Sequence, residues 1–151
     1  MVNHREYVME WNDPADIALV SRTFDEWAAA VIAKDRPAVE TFHDNGFRVR
    51  LGKGLLDKNE HIDLELAVAV REMSIIEIES TRRMGDLLLV WSKHLIRADH
   101  VPELPGLGLK GDWGNEKASK VGFVQLEFTV WRRDGDRLKC VAFEAKSAAP
   151  A

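Results

Sequence analysis

The chain has 151 residues, of which 46% are hydrophobic and 30% charged, the proportions of a single globular domain large enough to bury roughly 70% of its unfolded surface. Its 25 acidic residues outweigh 21 basic ones for a formal charge of -4, with no basic stripe, which argues against nucleic acid as a partner. The single cysteine, Cys140, excludes an internal disulfide and a cysteine-rich metal site.

The opening run MVNHREYVMEW lacks the apolar core of a signal peptide, and no stretch approaches membrane-spanning length. The expectation is a cytoplasmic protein with no membrane partner, in which residues 1–14 form an arm that is loose or docks on the body. Asp13-Pro14-Ala15-Asp16 starts a helix: an acceptor cap, proline at the first helical position and an acid in the first turn. Ile17, Val20, Phe24, Trp27 and Val31 follow at helical spacing as an apolar stripe. Asp35 caps a second, shorter helix carrying Val39 and Phe42, predicted to stop at Asn45-Gly46.

Phe47 to Leu51 alternates as a strand, Gly52-Lys53-Gly54 turns the chain, and Asp57-Lys58-Asn59-Glu60 has the form of a capping box for a third helix running to about Val70. The period then changes to two. Met73–Arg82 and Leu87–Ala98 read as strands joined at Met84-Gly85-Asp86, and residues 99–118 as a long loop, a lid or interface arm. The terminal stretch VGFVQLEFTVWRRDGDRLKCVAFEAKS is a hairpin about Asp134-Gly135. Within it Cys140 reads as a small buried filler. Helices first and antiparallel strands after argue for an α+β domain with helices on one face of a bent sheet.

The segment AVIAKDRPAVETFHDNGFRVRLGKGLLDKNEHI and the terminal FTVWRRDGDRLKCVAFEAKS resemble the SnoaL-like and ketosteroid-isomerase-like branch of the nuclear transport factor 2-like superfamily. Asp35 to Phe47 and the W-x-x-D-G turn at Trp131 to Gly135 carry most of the likeness, which covers residues 15–147 and leaves 148–151 as a tail. The resemblance implies a cone-shaped half-barrel of three helices on a strongly curved, mainly antiparallel mixed sheet. It also implies an apolar cavity and a homodimer through the outer sheet face. The isomerase's general base corresponds to Leu51, its oxyanion-hole tyrosine to Trp27, and its protonated acid falls near Phe128. None of the three can do that chemistry, which needs a carboxylate base and two donors.

The family register sends Phe47, Val49, Leu51, Val124, Leu126, Phe128, Val141 and Phe143 inward, where Trp27 and Trp91 complete a wall for a flat apolar ligand. The same residues read equally as plain core. His43, Lys93, His94, Arg97, Glu127 and Glu144 are the titratable candidates. His43 is hydrogen-bonded structure or a cavity acid/base. By alternation His94 shares a face with Glu127 across the sheet. That pair orients a general base if it faces inward and bridges a dimer if it faces outward, and the family register favours outward. Arg97 and Lys93 then rim the mouth or end a solvated strand.

No spacing places three metal ligands together, so no metal and no cofactor are expected. No phosphate loop is present either. The functional expectation is a protein that binds a small apolar or aromatic molecule. It is either a cofactor-free acid/base enzyme using His43 or His94 and Glu127, or a non-catalytic ligand-binding or dimerisation module.

Overall fold

Asp13 sets the first helix: its carboxylate accepts from the backbone N–H groups of Ala15 and Asp16, and Pro14 opens the first turn. In this computed structural model, which describes residues 10–51, 53–98 and 122–150, the chain runs β1 (Glu10–Trp11), α1 (Pro14–Ile32), α2 (Arg36–Thr41), β2 (His43–Leu51), β3 (Gly54–Asp57), α3 (Lys58–Ala67), β4 (Val70–Met84), β5 (Leu87–Ala98), β6 (Phe123–Asp134) and β7 (Arg137–Pro150). The three helices pack on a mixed, open seven-stranded sheet of order β1-β4-β5-β6-β7-β2-β3. All neighbouring strands are antiparallel except β2 and β7. The expected α+β half-barrel is therefore present. Among the described residues no helix is long and apolar enough to cross a membrane.

Val20, Phe24, Trp27 and Val31 of the α1 stripe are buried. The capping box forms as the sequence indicates, with Asp57 accepting from the Glu60 N–H and Glu60 accepting from the Asp57 N–H. Three boundaries differ. The second helix ends at Thr41 and not at Asn45-Gly46, because the Phe42 carbonyl accepts from Cys140 N–H at 2.7 Å and pulls the next residue into the sheet. His43 accordingly opens β2, opposite Cys140, and an irregularity separates this pair from the Arg48–Ala142 pair. Gly54–Asp57, which spans the expected turn's last residue and the helix cap, is a short strand on β2, and β4 begins at Val70.

The larger correction concerns the faces of β5, β6 and β7. Phe123, Gln125, Glu127, Thr129 and Trp131 are buried toward the helices, as are Val90, Ser92 and His94. Val124, Leu126, Phe128, Val141 and Trp91, expected inward, lie on the opposite, half-buried face. Trp131 decides this register. It is wholly buried, meets Phe24 and Trp27 edge-on at 5.4 and 5.7 Å between ring centroids, and donates its indole N–H to Thr129 Oγ1 at 2.8 Å. With a period of two, an inward Trp131 carries Glu127 and Gln125 inward with it. Phe143 keeps its expected inward place because β7 is irregular relative to β6 between Val130 and Trp131. Cys140 is the expected buried filler, and burial pushes its thiol well above the ordinary value.

Part of the N-terminal segment docks. Glu10 and Trp11 pair with Arg83 and Arg82 of β4, and the Trp11 ring stacks on Trp91 at 6.1 Å. Arg83 also grips α1: its Nε and Nη2 donate to the two oxygens of the buried Asp16 at 3.1 and 2.7 Å. Asp16→Ala, which removes this clamp and leaves Arg83 only its pairs with Glu10 and Asp13, is expected to lower stability by about 1–3 kcal/mol in urea unfolding. An unchanged midpoint would mean that helix and sheet hold without it.

Candidate functional site

Between α1, α3 and the inner sheet face lies a cavity of about 110 Å³, on the scale of the ~150 Å³ that accommodates a benzene ring. Phe24 and Trp27 line it from α1, His61, Leu64 and Glu65 from α3, and Leu51, Val70, Met73, Ile96, Phe123 and Phe143 from the strands. Gln125 and Glu127 add a polar corner on β6. Carbon therefore covers most of the wall, and the polar groups gather in two places, one on β6 and one on α3.

At the β6 corner Glu127 is fixed from two sides. Gln125 Nε2 donates to its Oε1 at 2.6 Å, and His94 Nε2 stands 2.9 Å from its Oε2. The contact of His94 Nε2 with Glu127 is at ion-pair distance, without the alignment of a directed hydrogen bond. The same nitrogen lies 2.8 Å from Ser92 Oγ. The ring of Phe24 meets His94 edge-on at 4.6 Å, which leaves the imidazole little room to turn. Glu127 reaches the cavity wall and His94 backs it.

The α3 corner is built differently. His61 and Glu65 are four residues apart and share one helix face, with His61 Nε2 2.7 Å from Glu65 Oε2. Trp27 donates its indole N–H to Glu65 Oε1. Behind them His43 is 1% exposed, boxed by Trp27 and Phe47 edge-on at 5.0 and 4.8 Å and by His61 at 5.3 Å. Its Nδ1 faces the Val39 carbonyl at 2.8 Å. Desolvation pushes its pKa down to about 4, against a smaller opposing pull from Glu65.

The residues singled out from sequence thus divide. Trp27, Leu51, Phe143 and Glu127 line the cavity. His94 backs Glu127, and Phe47 and His43 lie just behind the wall. Trp91 and Phe128 sit on the outer face, ring against ring at 5.0 Å, so neither belongs to the cavity. Arg97 is exposed and paired with Glu72 at 2.8 Å, and Lys93 reaches Glu77 at 3.5 Å on the outer side. Glu144 pairs with Lys146 at 3.2 Å. The expectation that His94 and Glu127 face outward is overturned by the inward turn of Trp131. The loop expected at 99–118 lies outside the described residues.

Sequence reasoning missed Phe24, Met73, Gln125, His61 and Glu65. It also found no three ligand atoms brought together, whereas those of His43, His61 and Glu65 lie within 4.8 Å of one another. The cause is the orientation of α3, which turns His61 inward to 7% exposure. The signal available was the His61-x-x-x-Glu65 spacing.

No family model matches the chain, and no curated protein matches it. Among solved structures, a nuclear transport factor 2-like protein from Cytophaga hutchinsonii superposes with a TM-score of 0.66 at 12% identity, over 89% of this chain and 98% of that one. A cystatin-like fold protein from Burkholderia xenovorans gives 0.53 at 15% identity over 95% and 99%. A candidate ketosteroid isomerase from Shewanella frigidimarina gives 0.50 at 14% identity over 89% and 96%. At these identities the likeness fixes the fold alone.

The neutral His43 has a measurable consequence in chelator-treated protein. In the folded chain it takes a proton only near pH 4, whereas in the unfolded chain it does so near 6.5. The unfolded state therefore binds more protons between those values. The stability present above pH 6.5 is lost as pH falls toward 4, by an amount on the order of 3 kcal/mol. Urea unfolding of the wild type and of His43→Gln at pH 7, 5.5 and 4.5 is expected to show a shallower pH slope in the variant; equal slopes would remove His43 from the acid response.

Proposed function

We propose that this chain, which has the nuclear transport factor 2-like fold, binds a small, flat, largely apolar molecule in its cavity and exchanges a proton with it through Glu127. The observation that carries the reading is a carbon-lined cavity with one carboxylate at its wall, held on one oxygen by Gln125 and backed on the other by His94. A carboxylate fixed in this way needs little reorganisation when a substrate C–H or O–H arrives, and positioned proton transfer contributes typically 10²–10⁴-fold in rate. Glu127 is the catalytic residue of this scheme; Gln125 and His94 are positioning residues.

The reaction differs in its parts from the one the resemblance implies. Leu51 stands at the expected base and Trp27 at the expected tyrosine, both on the cavity wall. The acid expected near Phe128 has a counterpart one residue away, in Glu127, which turns inward where Phe128 turns out. Isomerisation, dehydration, cyclisation or elimination of a neutral substrate fits a single general acid/base of this kind. Binding without turnover is the competing reading, favoured by the fact that both Glu127 oxygens already have protein partners.

The test does not require the product to be known. A panel of cyclic ketones and hydroxylated aromatics is screened by quenching of tryptophan fluorescence, Trp27 being in the wall, and binders are followed in D₂O by NMR for deuterium uptake. Saturable quenching, with uptake that falls 10²–10⁴-fold in Glu127→Gln while affinity is kept, is the expected result. Quenching with no uptake in the wild type would leave a binding module, and no quenching at all would end the proposal.

We further propose that the chain is a cytoplasmic homodimer joined through the outer sheet face. Leu126, Phe128 and Val130 on β6 and Trp91 on β5 are only half-buried there, an apolar strip suited to a second copy. Phe128→Arg is expected to convert a dimer to a monomer in sedimentation velocity without loss of the folded spectrum. A wild type that sediments as a monomer at its highest soluble concentration would refute the interface.

A further inference from the structure

We infer that His43, His61 and Glu65 form a site for a divalent transition-metal ion of the zinc class, set in the cavity wall and separate from Glu127. Three observations converge on it. The first is placement: β2 supplies one imidazole, two successive turns of α3 supply an imidazole and a carboxylate, and their donor atoms lie within 4.8 Å of one another. A tetrahedral ion with bonds of 2.0–2.2 Å needs donors about 3.3 Å apart. The 2.7 Å between His61 Nε2 and Glu65 Oε2 must widen and the longest separation must shrink, both within reach of side-chain rotation.

The second observation is a set of buried nitrogens without hydrogen bonds. His43 Nε2 has no partner, and neither nitrogen of His61 has an aligned one. The His61–Glu65 contact is close enough for an ion pair but fails as a directed hydrogen bond. An unsatisfied buried polar atom costs roughly 1–3 kcal/mol, so a structure holding three in one cluster calls for an explanation. A metal ion provides one for His43 Nε2 and for the ligating nitrogen of His61.

The third is the ordering of the groups behind the donors. The Val39 carbonyl can only accept, so His43 carries its proton on Nδ1 and offers Nε2 as a lone pair. Trp27 holds Glu65 Oε1 through its indole N–H and leaves Oε2 facing His61. These are the outer contacts that fix ligand tautomer and orientation in metal sites. Two imidazoles and a carboxylate suit zinc and its neighbours better than magnesium or calcium, which favour all-oxygen sets. Three protein ligands leave a position open, and since His61 and Glu65 line the cavity, that position belongs to water or to a cavity guest. The plain alternative is a packed histidine beside a buried pair on one helix face.

Untagged full-length protein, stripped with chelator and desalted, is titrated with Co²⁺ and followed by visible absorption, then challenged with Zn²⁺ in competition with a chromophoric chelator. One equivalent is expected to give the d–d bands of a four- or five-coordinate ion, displaced by zinc. His61→Ala and Glu65→Gln, at the cavity wall, are each expected to weaken binding at least ~100-fold with folding intact by circular dichroism. Should His43→Ala fail to fold, the proton NMR spectrum of the cobalt-loaded wild type replaces it, and two paramagnetically shifted imidazoles are expected. Absence of saturable 1:1 binding would overturn the site, as would binding whose affinity His61→Ala and Glu65→Gln leave unchanged. Metal binding is read without any organic ligand, so its outcome is independent of the proton-transfer scheme.

Discussion

The burial of Trp131 is the constraint from which the rest of the interior follows. Its indole is wedged edge-on against Phe24 and Trp27 of α1 and satisfied by Thr129 two residues back on the same face. Once that side chain points in, period two leaves no choice for β6: Thr129, Glu127 and Gln125 must also point in. Three polar residues on the inside of a cone need partners, because an unpaired polar group in such a place costs more than a bond made there returns. Glu127 finds one in Gln125 and another in His94, and His94 shares its nitrogen with Ser92. The polar string across β5 and β6 is thus a consequence of one large aromatic anchor.

The sequence carries the local features well and the choice of face poorly. Caps and turns are short-range chemistry, and Asp13, Asp57 with Glu60, Gly85 and Gly135 do what their types dictate. On β6, however, one face reads Val124, Leu126, Phe128, Val130 and the other Phe123, Gln125, Glu127, Thr129, Trp131. Hydrophobicity alone sends the first set inward, and the family register agreed. What it cannot weigh is that the second set satisfies itself while contributing the larger aromatic. His94 and Glu127 were correctly placed on a common face; only the side of the sheet was inverted, and Trp91 and Phe128 left the cavity by the same inversion.

The other site residues escaped for a related reason. α3 mixes charge and carbon around its circumference, so no clean stripe marks its buried side. The capping box fixes where the helix starts, and packing on β2 fixes how it is rotated, which no local pattern reports. That rotation brings His61 and Glu65 to the wall and His61 against His43. His43 itself is carried inward because β7 captures the Phe42 carbonyl and turns an expected helix end into the first residue of a strand.

The cavity that results has a definite electrostatic character. Two carboxylates, Glu65 and Glu127, reach it from opposite layers, and among its described lining residues none is Lys or Arg. Arg97, a sequence candidate for holding an anionic group, is spent on Glu72 outside. Each carboxylate is oriented by a neutral donor, an indole for Glu65 and an amide for Glu127, and faces an imidazole with its other oxygen, His61 and His94 respectively. A carboxylate-bearing guest within ~4 Å of either would meet repulsion of about 4 kcal/mol at the effective dielectric of such a site, enough to weaken binding by more than 100-fold. Under the proposed reading, the arrangement favours neutral guests over anions. The α3 corner offers a cation two imidazoles and a carboxylate oxygen in one place.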